Sequence, residues 1–331
     1  MVRSLIRRIS ERAFSIASRR PAGPVILMYH RIAEESYDPW GLAVSAANFG
    51  QQLDWLAVNR LVMPLHMLIE LHATGKLPRN ACAITFDDGY ACNARLAAPM
   101  LAERSLCATF FLATRLLDPE REFWWDDLER IVTASHAKRL ALDGERGREE
   151  WEIGPPNSGD AQRHRDAPPA TARQEAIDAI WRFLLPQSPG AIRAQIDDLR
   201  RQAAVAQGAR ASHRPMSAEE AAALPMGTID FGGHTLHHIS LTDRPADEQL
   251  HEITTGLAEC AALRGEDIAT FAYPYGHYNA QNVDIVKGRG LMGACSTVYG
   301  PVRRGSDIFA LPRIAAGHWN AAMLQAMLAR V

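Results

Sequence analysis

Ala81-Cys82-Ala83-Ile84-Thr85-Phe86-Asp87-Asp88-Gly89-Tyr90 is a run of six core-type residues that breaks off in two adjacent acids. Its lack of polar alternation predicts a strand buried on both faces, as parallel strands covered by helices are. Upstream, Val25-Ile26-Leu27-Met28-Tyr29 follows Pro21-Ala22-Gly23-Pro24 and has the same character; it ends at His30. Downstream, Ala108-Thr109-Phe110-Phe111-Leu112 is a third such strand. Helical periodicity fills the gaps, over 46–59 (Phe49, Leu53, Leu56, Ala57) and about 93–103. Strand–helix–strand alternation implies a parallel sheet with helices outside it. In such folds chemistry gathers where strands run out into loops at their C-terminal edge. His30, Asp87 and Asp88 all stand there.

The alternation stops at about residue 122. A Trp-rich helix start follows (Phe123-Trp124-Trp125-Asp126-Asp127-Leu128), then a hairpin near Leu140 and Trp151–Ile153. A polar Gly/Pro stretch over 154–169 reads as a mobile loop, and helices are expected over about 171–186 and 189–206. Residues 122–216 are therefore expected to form a helical insertion. The strand–helix pattern returns with a strand over 227–231, followed by Gly232-Gly233-His234. A helix over about 246–263, strands 270–273, 292–296 and 311–314, and a last helix near 321–328 complete it.

Hydrophobic residues make up 47% of 331 positions, enough for a large core, and an α/β barrel of this length forms one domain. A formal net charge of −2 gives no global basic field, so nucleic acid is not an expected partner. The five cysteines (82, 92, 107, 260, 295) are odd in number and form no C-x-x-C pair, so they read as core residues of a reducing compartment. Residues 1–20 hold arginines at 3, 7, 8, 12, 19 and 20 against one acid, Glu11, with Leu5, Ile9, Ala13 and Ile16 at helical spacing. This basic amphipathic segment is either a solvated helix or a peripheral contact with an anionic membrane. No secretory signal is legible, so a cytoplasmic location, peripheral to the inner membrane, is expected.

Three groups of residues carry chemistry. Asp87 and Asp88 are expected to point different ways, because side chains alternate along a strand, so that one can hold a metal while the other faces substrate. As helix caps they would need no such role. In His234-Thr235-Leu236-His237-His238, the first and last histidines share a face if the segment is one helical turn, and His234 with His237 would also serve. One Asp and two His leave positions open on Zn²⁺ or a similar ion, which can polarise a carbonyl and activate water. Phe271-Ala272-Tyr273-Pro274-Tyr275-Gly276 ends a strand in a turn that can wall a sugar groove and offer a backbone N–H to an oxyanion.

These groups resemble a known family. Thr85-Phe86-Asp87-Asp88-Gly89-Tyr90 resembles the first signature of the polysaccharide deacetylases with the NodB homology domain (carbohydrate esterase family 4). His234-Thr235-x-x-His238-x-x-Leu241 is similar to the second signature and the Phe271–Gly276 stretch to the third. The likeness covers about 25–125 and 215–330. It implies a distorted (β/α) barrel and metal-dependent removal of N-acetyl groups from N-acetylglucosamine-type sugars. By position it implies Asp87 as general base, Asp88, His234 and His238 as ligands of one divalent ion, most simply Zn²⁺, and Pro274 with the Tyr275 backbone at the oxyanion. His237 falls at a variable position.

Two departures stand out. The family's third signature opens with an arginine that contacts the catalytic acid; here Ala272 stands in its place, and Arg313 in Leu311-Pro312-Arg313-Ile314 is the substitute. The late Leu-His signature is missing. Met28-Tyr29-His30 instead resembles the N-terminal motif of the biofilm-type poly-N-acetylglucosamine deacetylases, which implies His30 as general acid; His318 is the second candidate. Other readings of the same residues are an O-acetyl glycan esterase, an amide hydrolase of small molecules, and a glycan-binding pseudoenzyme.

Overall fold

The computed structural model describes residues 23–144, 147–163 and 167–331. The basic segment 1–20, with its expected helix and membrane contact, lies outside them. In chain order the elements are β1 (Val25–Tyr29), β2 (Arg31–Ile32), β3 (Ala43–Val44), α1 (Ala46–Asn59), β4 (Leu61–Val62), α2 (Leu65–Ala73), β5 (Ala81–Phe86), α3 (Ala98–Glu103) and β6 (Ala108–Leu112). Next come α4 (Trp124–Ala134), β7 (Arg139–Gly144), β8 (Gly147–Glu152), α5 (Ala172–Leu184) and α6 (Pro189–Ala203). The chain continues with α7 (Ala218–Ala222), β9 (Ile229–Gly233), α8 (Ala246–Arg264), β10 (Thr270–Ala272), α9 (Ala280–Gly288), β11 (Gly293–Tyr299), β12 (Leu311–Ala315) and α10 (Ala321–Leu328).

These elements divide into two compact units. One holds the described residues up to Glu34, Ala43–Leu117 and Met216–Val331; the other holds Glu35–Leu42 and Asp118–Pro215. In the first, strands run in the order β1-β12-β11-β10-β9-β6-β5, and β5 pairs back onto β1. All these pairings are parallel, so seven strands close a barrel, and β4 adds to β5 on its outer edge. Every residue of β1, β5 and β6 is buried, as their unbroken apolar runs require. Tyr29, Phe49, Phe86 and Phe110 interlock at centroid spacings of 5.1–5.8 Å, and Ser45 caps α1 by accepting the Asn48 N–H.

Two boundaries move from their expected places. Gly232 and Gly233 belong to β9, paired with Phe111 and Leu112, rather than following the strand. The helix expected from residue 93 opens as a π-turn over Asn93–Ala97 before α3 begins. Such widened turns recur next to functional sites.

The second unit has its own apolar core, in which Leu128, Ile131, Ile177, Ile180 and Leu199 are wholly buried, and an antiparallel β7–β8 hairpin. It takes in 35–42 as well as the expected insertion: Trp40 lies 6.2 Å from Trp181. Its loop over 154–170 is anchored where it is described. Arg163 donates to both carboxylate oxygens of Asp178 at 2.7 and 2.8 Å, and Gln174 Nε2 donates to the carbonyls of Gly159 and Asp160.

Candidate active site

The β1–β5 register sets Tyr29 opposite Phe86, so the next residues, His30 and Asp87, leave the barrel at one level. The Asp87 N–H donates to the Tyr29 carbonyl at 2.9 Å. Arg313, from β12, is buried and reaches across β1: its Nη1 and Nη2 donate to the two oxygens of Asp87, both at 2.7 Å. Thr85 Oγ1 and the Ser296 carbonyl hold the same guanidinium at 3.2 and 2.9 Å. Burial pushes the Asp87 carboxyl up, but the Arg313 charge and its paired hydrogen bonds outweigh this and hold it below the usual carboxylate range. Asp87 is therefore a carboxylate at neutral pH. A positive charge on His30 acts in the same direction on both Asp87 and Asp88.

Asp88 is beyond strand geometry. Its φ is 73°, and a left-handed residue here, rather than strand alternation, turns it from its neighbour. The two histidines also meet by a route the helical spacing does not describe. Residues 234–238 make a tight turn with φ of 65° at Thr235 and 53° at His238, and no helix forms there. Such backbone in non-glycine residues is uncommon and costs energy that surrounding structure must supply.

That structure comes from α8. Buried Glu252 accepts the backbone N–H groups of Leu236 and His237 at 3.0 Å each on Oε2, and its Oε1 engages His237 Nδ1 at 2.7 Å. His237 is thereby drawn onto the helix and is not one of the converging ligands. One turn on, Gly256 lets the helix touch the loop: a Cβ there would lie 2.7 Å from the Thr235 carbonyl carbon. Neither residue was singled out in the sequence. The signal available was a glycine in mid-helix, which costs about 1 kcal/mol against alanine and so marks a close approach.

Asp88, His234 and His238 converge. Their ligand atoms lie within 4.8 Å of one another and all three residues are buried. Asp88 Oδ1 stands 3.2 Å from His238 Nε2 and 3.5 Å from His234 Nε2. His234 Nδ1 lies 2.7 Å from the Ala272 carbonyl, an acceptor only, so Nδ1 carries the proton and Nε2 presents its lone pair. Burial lowers the pKa of His238, favouring its neutral form. Asp88 Oδ1 accepts no hydrogen bond. Two imidazole nitrogens and a carboxylate oxygen thus face one another out of water, an arrangement that a divalent cation satisfies. These donors, two imidazole nitrogens and a carboxylate oxygen, suit Zn²⁺.

The third group stands beside them. Pro274 is buried, and Tyr275 has φ 58° with its ring 4.5 Å from that of His238. Gly276 follows at φ 72°, where a Cβ would collide with Thr297 Oγ1 at 1.9 Å. A hydrogen-bonded chain joins this turn to the 234–238 turn: Ser240 Oγ donates to Asp243 and accepts from His277 Nδ1 at 2.8 Å. His318 is exposed, and its Nδ1 accepts the Ser45 N–H at 3.2 Å.

Gly256→Ala should improve helix propensity yet displace the Thr235 backbone. We expect a 10–100-fold loss of zinc affinity, the size typical of disturbed ligand support. A competition titration against a chromogenic chelator measures this; an unchanged affinity would mean that α8 does not set the ligand geometry.

A parallel barrel with an arginine-held aspartate beside an Asp-His-His cluster defines a hydrolase-type centre at the C-terminal edge of its strands. The model of the polysaccharide deacetylase family matches residues 74–138 and 205–294. The matched segments contain Asp87, Asp88, His234, His238, Pro274 and Tyr275; His30 and Arg313 lie outside them. No curated protein matches the chain in sequence. Among solved structures, the Streptococcus pyogenes deacetylase PplD, determined with acetate, is 16% identical, with a TM-score of 0.59 over 93% of this chain and 99% of that one. IcaB from Ammonifex degensii is 18% identical, with a TM-score of 0.56 over 93% and 97%. A de-N-acetylase from Aggregatibacter actinomycetemcomitans is 13% identical, with a TM-score of 0.53 over 92% and 98%. At these identities the likeness establishes the shared barrel fold.

Proposed function

We propose that this protein is a divalent-metal-dependent hydrolase that removes N-acetyl groups from N-acetylglucosamine-type units of a glycan, releasing acetate. The observation that carries the reading is the meeting of two carboxylates in opposite settings. Asp87 is held by Arg313 through one hydrogen bond to each oxygen, which leaves a lone pair on each, whereas Asp88 leaves an oxygen open towards two imidazoles. One is suited to hold a proton briefly, the other to hold a cation.

Asp88, His234 and His238 would hold the ion, Zn²⁺ by donor type. When bound it supplies Lewis acidity towards the acetyl carbonyl and the attacking water. Asp87 accepts the proton of that water, and Arg313 keeps the base ionised and aimed. The Tyr275 N–H faces the developing oxyanion, with Pro274 and the Tyr275 ring as groove wall. His30, in its protonated form, donates to the departing amine. The reading as an amidase rests on this donor, because an alkoxide leaves without such help and an amine does not. The structural relative from Aggregatibacter, a de-N-acetylase, agrees with it.

Asp87→Asn keeps the shape and removes the acceptor. We expect acetate release from N-acetylated oligosaccharides to fall at least ~10²-fold in kcat with bound zinc unchanged. Near-normal turnover by this variant would refute the assignment of Asp87 as base.

A further inference from the structure

The opposite end of the barrel carries a second feature. A cleft of about 850 Å³ opens where the chain enters β1, and Arg79, Arg303 and Arg304 line it together with His72, Gly75 and Gly305. All three arginines are exposed, and among the described residues none of them has an ion-pair partner. Among the described residues no acidic side chain lines the cleft, and Val331 also stands at its edge. Asp307, in the same loop, turns its carboxylate to the Phe309 N–H. His72 Nε2 meets the Ser306 carbonyl at 2.9 Å and fixes that loop against α2. Three guanidinium groups without an ion-pair partner among the described residues, beside glycines, make a receptor for anionic oxygens, with the planar forks that phosphate favours.

Its position identifies the source of the phosphate. Gly23 and Pro24 line the cleft, so residues 1–22, with six arginines against one acid, join the fold at this point. A cationic cleft at the point where an arginine-rich stretch of sequence enters the fold favours a planar array of anions over a single soluble one. We propose that this end of the barrel docks on an anionic membrane surface, the cleft taking lipid phosphate groups. The catalytic rim then faces away from the bilayer. The five residues of β1 alone, tilted as barrel strands are, set it roughly 12 Å further out at about 3.3 Å per residue. A glycan would be presented from the aqueous side.

Sedimentation of the full chain with phosphatidylcholine vesicles, with and without phosphatidylglycerol, tests this. We expect binding only to the anionic vesicles, weakened by salt. Arg79→Gln/Arg303→Gln/Arg304→Gln should reduce partitioning about 10²-fold, on the scale of roughly fivefold per basic group near an anionic surface, with an unchanged melting temperature. The corresponding triple lysine variant should retain binding. Equal partitioning of the glutamine variant and the natural chain would overturn the role of the cleft. Saturable binding of inorganic phosphate without vesicle binding would overturn the membrane as its source. Equal retention by duplex DNA at matched phosphate would show a general polyanion surface and also reject the proposal.

Discussion

His238→Ala is expected to leave well under one equivalent of zinc on the purified protein and to lower acetate release by roughly 10³-fold. The latter is the rate equivalent of the several kcal/mol that a Lewis acid contributes at a developing oxyanion. The residue is buried, its Nε2 lies 3.2 Å from Asp88, and its backbone adopts φ 53° to bring it there. Truncation removes one of three ligands without a neighbour able to replace it: His237 is committed to Glu252 at 2.7 Å. Elemental analysis and a single-turnover assay measure the two effects together. Full metal content in His238→Ala, with loss in His237→Ala, would assign the ligand to the wrong histidine.

His30→Ala is expected to slow hydrolysis of an N-acetyl substrate ~10²–10⁴-fold, the usual range for a lost general acid–base group. The same change should affect an activated acetate ester far less, because its leaving group departs without a proton, and zinc content should not change. The selectivity comes from position: His30 stands one residue beyond the β1 register that aligns Tyr29 with Phe86, at the level of Asp87. Equal losses on both substrates would reject His30 as the acid. His318, tied to the Ser45 N–H, would then be the next to test.

The barrel strands were legible because parallel strands buried on both faces need no polar alternation. Val25–Tyr29, Ala81–Phe86 and Ala108–Leu112 therefore stand out as runs. The gathering of polar residues at strand ends followed from topology, and Arg313 reaches Asp87 although it is 226 residues away. Backbone that departs from regular elements was less legible. The spacing of His234 and His238 suggested a helical turn, whereas left-handed residues at Thr235 and His238 make the approach. Those residue types rarely adopt this conformation, so no propensity announces it. Glu252 and Gly256 escaped notice for a related reason. Their partners are backbone atoms of another segment, and a helix sequence records its own periodicity rather than the atoms it supports. Residues 35–42 have no run or motif to set them apart from the barrel, yet they fold with the second unit.

The pairing of β1 with both β5 and β12 has a consequence for the order in which this protein is made. β12 is the last strand, and its Arg313 is the counter-charge of Asp87. A growing chain that has emerged through β11 holds a finished first signature but an unfilled seam, with the future base lacking its counter-charge. Competence therefore waits on the synthesis of β12. The strand that closes the barrel also brings the positive charge to buried Asp87, so a chain that stops after β11 is expected to be open and to lack that charge.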